Sequence, residues 1–541
     1  SIIQPFRIGP ADYAADTDDI DHSHPRIVAK MDVVGGVAQM DQFAQVEEKK
    51  YWPSGPTPSL KAKQMGELAM AYMDGDTVPF LWQYANRFVL FDHVFQLMTG
   101  PSTPGNLAII AAQSGQTQGA LHPDQLYTDN GSSVPGEPVL NDDDPFWGSP
   151  SDPTPANEKL PVNPGDFPNG GYGIQLNQTY ATLPLSLAGE DAAEVVSTDR
   201  DPEGDLGDVL DDVDFLTKKG QKAIAWGWYQ EGYDQEPTDP NQGPTDANGT
   251  HASYITHHNG PQYFGYIANN PQFSQNLHGL EDFFTAVQTQ ALPKEGGVFF
   301  VKGGYQNLFG MTPANPDPTV QQNFLGDDDH PAYSDAQISE AMIAKAINAI
   351  ARSPYWDQCA IVITWDDSEG DYDHVAPPIR SYGPDGSVIT AGPRIPLLVI
   401  SPYARAHYIS HDTGDHGSVV KFVDAVYGLK PLATLPDEEA GRDLGKKKLG
   451  QSDWGPDDAY TSDVSDLLSA FDPARLNGSA PALPASYAII PDEIVNALPQ
   501  KGTTSVYGLK QIGVTPVDVA NHIPNIVPAD FNPRPKTNPT P

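Results

Sequence analysis

The sequence predicts an α/β fold built around a mainly parallel sheet flanked by helices, and three observations predict it. Apolar, β-rich runs at residues 88–94, 222–228, 298–302, 359–365 and 395–400 alternate with segments of helical periodicity. Residues 359–365 are apolar on both faces, which suits a strand buried inside a parallel sheet. The 541 residues can bury a large core, and clusters of Pro, Asp, Asn and Gly fall between the elements.

Taken in order, the first clear strand is 88–94. Gly100-Pro-Ser-Thr-Pro-Gly105 follows it and leads into a helix over 106–113, with Ser102 or Thr103 as cap, Pro104 in the first turn and Gly115 at the end. Leu206, Val209, Leu210, Val213 and Leu216 keep helical spacing, which Lys218, Lys219 and Gly220 terminate. Strands at 222–228 and 298–302 precede the clearest helix, 334–352. Its apolar face is Ile338, Met342, Ile343, Ile347 and Ile350; Ser334 or Asp335 caps it and Pro354 follows its end. Segments 141–170, 236–249 and 312–329 are too polar to fold alone and read as surface loops or insertions. The expected organisation is one domain over 1–480, with loop-rich insertions at about 139–170 and 236–250. Residues 481–541 form a Pro-rich extension, packed on the surface or partly disordered, with few apolar clusters from Val514 onward. No internal repeat is visible.

With 71 acidic against 31 basic residues, the formal charge of −40 argues against nucleic acid or an anionic membrane as partner. No apolar run approaches the roughly 20 residues of a membrane span, so no transmembrane segment is expected. Cys359 is alone, which excludes an intrachain disulfide. The acidic excess and 53 prolines suit a secreted or periplasmic protein, and the start at Ser1 is read as processed or truncated material.

Chemistry concentrates in three places. Residues 361–374 read Ile-Val-Ile-Thr-Trp-Asp-Asp-Ser-Glu-Gly-Asp-Tyr-Asp-His, putting Asp366 and Asp367 at a strand tip. Two hard oxygen donors there suit Mg, Ca, Mn or Zn, while a solvated acidic loop is the other reading. Ser102 meets the positive end of a helix dipole and free backbone N–H groups, which favours a nucleophile or a bound phosphate; an ordinary cap is the alternative. The Gly-x-Ser-x-Gly elbow of hydrolases is absent. Histidines supply the third cue: His257 and His258 are adjacent, His330 follows three aspartates, His22 and His24 lie near the start, and His411 and His416 flank Asp412 and Asp415.

Several of these motifs together resemble the phosphoesterase family of bacterial acid phosphatase A and the non-haemolytic phospholipases C. They are Gly100-Pro-Ser-Thr-Pro-Gly105, His257-His258, His330-Pro-Ala-Tyr-Ser-Asp335, Thr364 to Val375, Gly392 to Arg405 and Asp415-His-Gly-Ser-Val-Val-Lys-Phe422, in one order from about residue 20 to 475. The resemblance implies an alkaline-phosphatase-like sheet and a metal-dependent phosphoric ester hydrolase acting on a phosphate ester through a phosphoseryl intermediate. It implies Ser102 as nucleophile, one divalent metal ion on Asp366, Asp367 and Ser102, and His257, His258, His330 and His22 around the phosphoryl group. Asp373 and His374 are expected to support the metal ligands. Paired Asp366-Asp367 and paired histidines favour the acid phosphatase branch and small phosphomonoesters; the alternative is a phospholipase C-type phosphodiesterase. Charged histidines would bind phosphate best below about pH 6.5.

The Glu-Asn-x-Ser-Phe-Asp motif that opens the family is not found in this sequence. The expectation is a cleaved N-terminal peptide that carries a strand and metal ligands and stays bound as a separate chain. Without it, the expectation is an inactive secreted cation-binding protein on the same scaffold. Asn130, Asn177, Asn248 and Asn477 fit the glycosylation triplet, and residues 16–21 lack the Gly and Glu of an EF-hand loop.

Overall fold

The computed structural model describes residues 3–540 apart from 53, 125–133, 148–175, 235–252, 453, 462 and 499–524. Most of the two expected insertions, Asn130, Asn248 and residues 514–524 thus lie outside the described residues. The fold is mixed α/β, with strands flanked by helices.

Two sheets carry the architecture. One has three parallel strands in the order Leu277–Gly279, Ala225–Gln230, Gly297–Lys302. The other has four, in the order Tyr408–Asp415, Val89–Phe95, Leu397–Ile400, Ile361–Thr364. Here Leu397–Ile400 runs antiparallel to both neighbours, while Tyr408–Asp415 and Val89–Phe95 are parallel. The expected interior position of residues 359–365 is corrected: among the described residues Ile361–Thr364 pairs only with Leu397–Ile400 and forms an edge of its sheet, with Ile361 and Val362 partly exposed. An apolar run reports that both faces are covered, and says nothing about a second strand alongside.

Helices cover both faces. Ala336–Ala351 is capped by the Asp335 carboxylate, which accepts from the Gln337 and Ile338 N–H groups. It buries Ile338, Ala341, Ala344 and Ile347, and its residues pack with Phe91, Ile363 and Leu398 in one core cluster. Ser102–Ala111 and Gly417–Tyr427 lie together, sharing a core that joins Leu107, Ile110 and Val420 to Trp228. The helix expected from residue 206 begins at Leu210 and ends, as its Lys-Lys-Gly sequence predicts, with Gly220 in the left-handed conformation. Residues 483–498 contribute Ile490, Val495 and Leu498 to the core against Ala336–Ala351. Among the described residues no helix is long and apolar enough to cross a membrane.

Candidate active site

Helix Ser102–Ala111 starts seven residues after strand Val89–Phe95 ends, and its N-terminus meets the segment that leaves Ile361–Thr364. Gly105 permits the contact: a Cβ there would lie 1.9 Å from the Asp366 carbonyl oxygen. Pro101, in extended backbone, takes the cap position, so Ser102 is the first helical residue and not the cap. Its Oγ donates to Asp367 Oδ2 at 3.0 Å. One turn on, Asn106 Nδ2 donates to Asp366 Oδ2 at 2.8 Å and to the Ser102 carbonyl at 3.0 Å. The Thr103 N–H, expected to be free for phosphate, donates to Asp142 Oδ1 at 2.9 Å.

Lys302, the last residue of its strand, places Nζ 3.0 Å from Asp366 Oδ2 and 3.3 Å from Asp328 Oδ1. Asp328 also lies 3.1 Å from His258 Nδ1 and accepts from the Tyr333 hydroxyl at 3.0 Å. The His257 and His258 rings meet edge-on, their centroids 4.5 Å apart. Residues 327–329 are therefore not surface loop, as their polarity suggested: the Asp328 side chain is buried with Lys302, His258 and Tyr333 as partners, and buried Asp327 accepts from the Gly304 N–H at 3.0 Å.

On the other side of Asp367, His22 Nδ1 is 3.3 Å from Asp19 and 3.4 Å from Glu369, and His330 Nε2 is 3.7 Å from Glu369. The His330 ring stacks on Tyr333 at 4.5 Å. Asp329, Ala332 and Glu369 all have positive φ, a concentration of backbone strain at this one locality.

Charge sorts the carboxyls into two kinds. Burial opposes the ionisation of Asp366 and Asp328, yet Lys302 and His258 hold Asp366 well below the usual range and Asp328 down at about 2. Burial pushes Asp367 up, against the pull of His22, and lifts Asp329 to about 7. His22 is held well above the ordinary imidazole value, against its burial, by Glu369, Asp19 and Asp367. Burial and the neighbouring His258 press His257 down to about 4.

The structure thus brings Ser102, Asp366, Asp367, His22, His257, His258 and His330 into one buried network. Asp373 and His374 stay outside it: Asp373 is bound by Arg394 at 2.7 Å, and His374 is 74% exposed. Two other histidines are structural. His24 Nδ1 lies 2.5 Å from the Thr99 carbonyl, while His416 accepts from the Leu97 N–H and donates to the Trp365 carbonyl. Sequence reasoning missed Lys302, Asp328, Asn106, Asp142 and Glu369. Asp328 was signalled by the acidic run before His330, and Glu369 by its place in the 361–374 motif.

The residues fit a divalent cation. A ring nitrogen each from His22 and His330 and a Glu369 oxygen all lie within 4.8 Å of one another, beside the Asp367 carboxyl that burial leaves undercompensated. Oxygen and imidazole donors of this kind suit Mg, Mn, Ca or Zn.

A family model described as the Phosphoesterase family matches residues 2–430. Phospholipase C B of Mycobacterium tuberculosis is 31% identical over 134 residues, which cover 21% of this chain and 25% of that protein. The non-hemolytic phospholipase C of Burkholderia pseudomallei is 24% identical over 186 residues, 30% of this chain and 24% of that one. The chain therefore spans about a quarter of the length of these relatives. A phosphonate monoester hydrolase from Silicibacter pomeroyi aligns over 70% of this chain and 73% of its own at 13% identity, with a TM-score of 0.24, too distant a likeness to carry weight.

Proposed function

The chain belongs to the phosphoesterase family, and from that premise we propose that it hydrolyses small phosphomonoesters by nucleophilic attack of Ser102. One observation carries the reading. The Ser102 hydroxyl, buried at the start of a helix, donates to Asp367 at 3.0 Å, and the charges of His22 and His330 act on that same carboxyl.

Asp367 accepts the Ser102 proton as the Oγ–P bond forms and the ester O–P bond breaks. His258, 3.1 Å from Asp328, protonates the departing alkoxide. It then takes a proton from the water that cleaves the phosphoserine, and the departing Ser102 Oγ recovers its proton from Asp367 as phosphate is released. A divalent ion held by Asp366, Asp367 and Glu369 with His22 and His330 would supply charge neutralisation and further acidify the Ser102 hydroxyl. Ca, Mg, Mn and Zn all suit these donors. An extracytoplasmic location belongs to the same proposal and rests on the acidic composition.

The test is turnover of p-nitrophenyl phosphate. Ser102→Ala is expected to lower kcat at least about 10³-fold, as loss of a nucleophile does elsewhere; full retained activity overturns the assignment. Activity lost to a chelator and restored by one added divalent ion identifies the metal. The phospholipase C names of the relatives favour a second reading, a phosphodiesterase. A higher kcat/KM on p-nitrophenylphosphorylcholine than on the monoester would decide for it.

A further inference from the structure

A second group of metal-ligating side chains stands outside the active-site network, on the paired strands Val89–Phe95 and Tyr408–Asp415. It consists of Asp92, His93 and His411. His93 Nδ1 lies 2.7 Å from Asp92 Oδ1, and His411 Nδ1 lies 3.0 and 2.8 Å from the two oxygens of the same carboxylate. One ligand atom from each residue falls within 4.8 Å of the other two, and the imidazole rings stand at 86° with their centroids 6.2 Å apart.

The backbone makes this meeting possible. Successive side chains of a strand point to opposite faces, so Asp92 and His93 would ordinarily diverge. Here the alternation breaks: Phe91 and Val94 are buried, while Asp92 and His93 between them are both partly exposed. The partner strand is irregular at the same place. Ser410 pairs with Phe91 and Thr413 with His93, so two residues, His411 and Asp412, stand opposite the single Asp92. Such a bulge is rare between parallel strands, and bulges re-aim side chains at the edge of a sheet. Tyr408–Asp415 is that edge, paired with Val89–Phe95 alone among the described residues. The bulge therefore turns His411 onto Asp92 and interrupts the ladder at one and the same point.

We propose that Asp92, His93 and His411 bind one transition-metal ion of the zinc class, which staples the edge strand to its neighbour across the bulge. Two imidazoles and a carboxylate are the donor set of borderline ions such as Zn, Co and Ni, whereas Mg and Ca take oxygen ligands throughout. The ion takes the place of the protons that bridge each Nδ1 to the carboxylate, and small side-chain rotations bring the three donors to metal–ligand distances of about 2.0–2.2 Å. All three side chains are partly or largely exposed, which leaves room for those rotations and lets water complete a tetrahedral shell. The local charge admits a cation. Arg394 donates to the Asp92 carbonyl at 2.8 Å, but its own charge is met by Asp373, which it binds through Nε at 2.8 Å and Nη2 at 2.7 Å. Metal–ligand bonds thus hold the two strands together where the ladder is broken.

Zinc uptake by the chelator-stripped chain tests this, measured by equilibrium dialysis at micromolar free zinc followed by metal analysis. The wild type should bind one zinc ion more than either Asp92→Asn or His411→Ala. That difference stays at one whether or not the candidate active site also takes zinc, so the inference stands or falls apart from the proposed hydrolysis. The His411 side chain is 72% exposed, and far-UV circular dichroism should show its removal leaving the fold intact. In wild-type crystals soaked in zinc, anomalous diffraction should place a peak about 2.0–2.2 Å from one atom of each of the three residues. Zinc at about 100 times its Kd should slow amide exchange across Tyr408–Asp415 about 100-fold, and His411→Ala should abolish that slowing. Equal zinc content in wild type and variants overturns the inference. So does uptake seen only at millimolar zinc, an anomalous map with no peak among the three residues, or exchange across Tyr408–Asp415 that zinc leaves unchanged.

Discussion

Buried carboxyls occur in two regions of this molecule, and their partners differ. At the candidate active site, Asp366 and Asp328 share the Lys302 ammonium and stay ionised, with the Asp328 side chain buried and that of Asp366 mostly so. Around helix Pro436–Leu449, Glu438 takes its hydrogen bonds from the Gln113 amide, the Thr117 hydroxyl and the Ala181 N–H, all neutral donors. Burial pushes Glu438 up to about 7, and burial together with Glu438 pushes Asp212 up to about 9. Asp424 rises to about 9 by burial and the facing carboxyl of Asp458. Desolvation acts alike in both regions, and a cation decides whether charge survives it. The formal charge of −40 therefore counts as charged several carboxyls whose ionisation burial opposes.

The comparison is tested most severely by removing the cation. Lys302→Met leaves two buried anions without their ammonium and should cost about 3–5 kcal/mol in urea unfolding at pH 7. Glu438→Gln, which replaces one acceptor oxygen by an amide NH2 at a group already largely neutral at pH 5, should cost about 1–2 kcal/mol there, well below Lys302→Met. Equal losses in the two variants would abolish the distinction.

That distinction was only half legible in the sequence. Ser102, Asp366 and Asp367 were found because strand ends and helix starts are local features, written in adjacent residues. Lys302 was missed because its meaning comes from a partner 64 positions away, and Asn106 because its partner lies 260 away. The five expected strands were placed to within about three residues, but strands Tyr408–Asp415 and Leu277–Gly279, the antiparallel direction of Leu397–Ile400 and the edge position of Ile361–Thr364 were not foreseen. Apolar periodicity records which faces are covered and carries no information on strand neighbours. Asp212 and Glu438 went unremarked for a related reason: a carboxyl that folds as a neutral acid looks the same in sequence as one on the surface.

A smaller effect separates the regions by pH. Asp212, Asp424 and Glu438 have folded pKa values raised above the ordinary value near 4, so the folded state keeps protons that the unfolded chain has released. Their contribution to stability is complete below about pH 4 and is lost as pH rises toward 7–9. The Tm should accordingly fall by several degrees between pH 5 and pH 8, and Asp424→Asn should flatten that fall by removing one titrating group. A Tm that rises over this interval would contradict protonated burial.

The smallest effect belongs to an intermediate case. Asp208 is nearly buried and accepts from Thr179 Oγ1 at 2.5 Å, but its cationic partner is the His122 ring, 2.9 Å away and 39% exposed. If a cation mattered merely by being close, His122→Ala would rival Lys302→Met. Solvent screens the His122 charge and already hydrates it in the unfolded chain, so its loss should cost under about 1 kcal/mol, measured by urea unfolding at pH 6. The Thr179 hydroxyl remains to satisfy the carboxylate, and water replaces the imidazole. A loss of 3 kcal/mol or more would place proximity above burial and remove the basis for treating Lys302 as special.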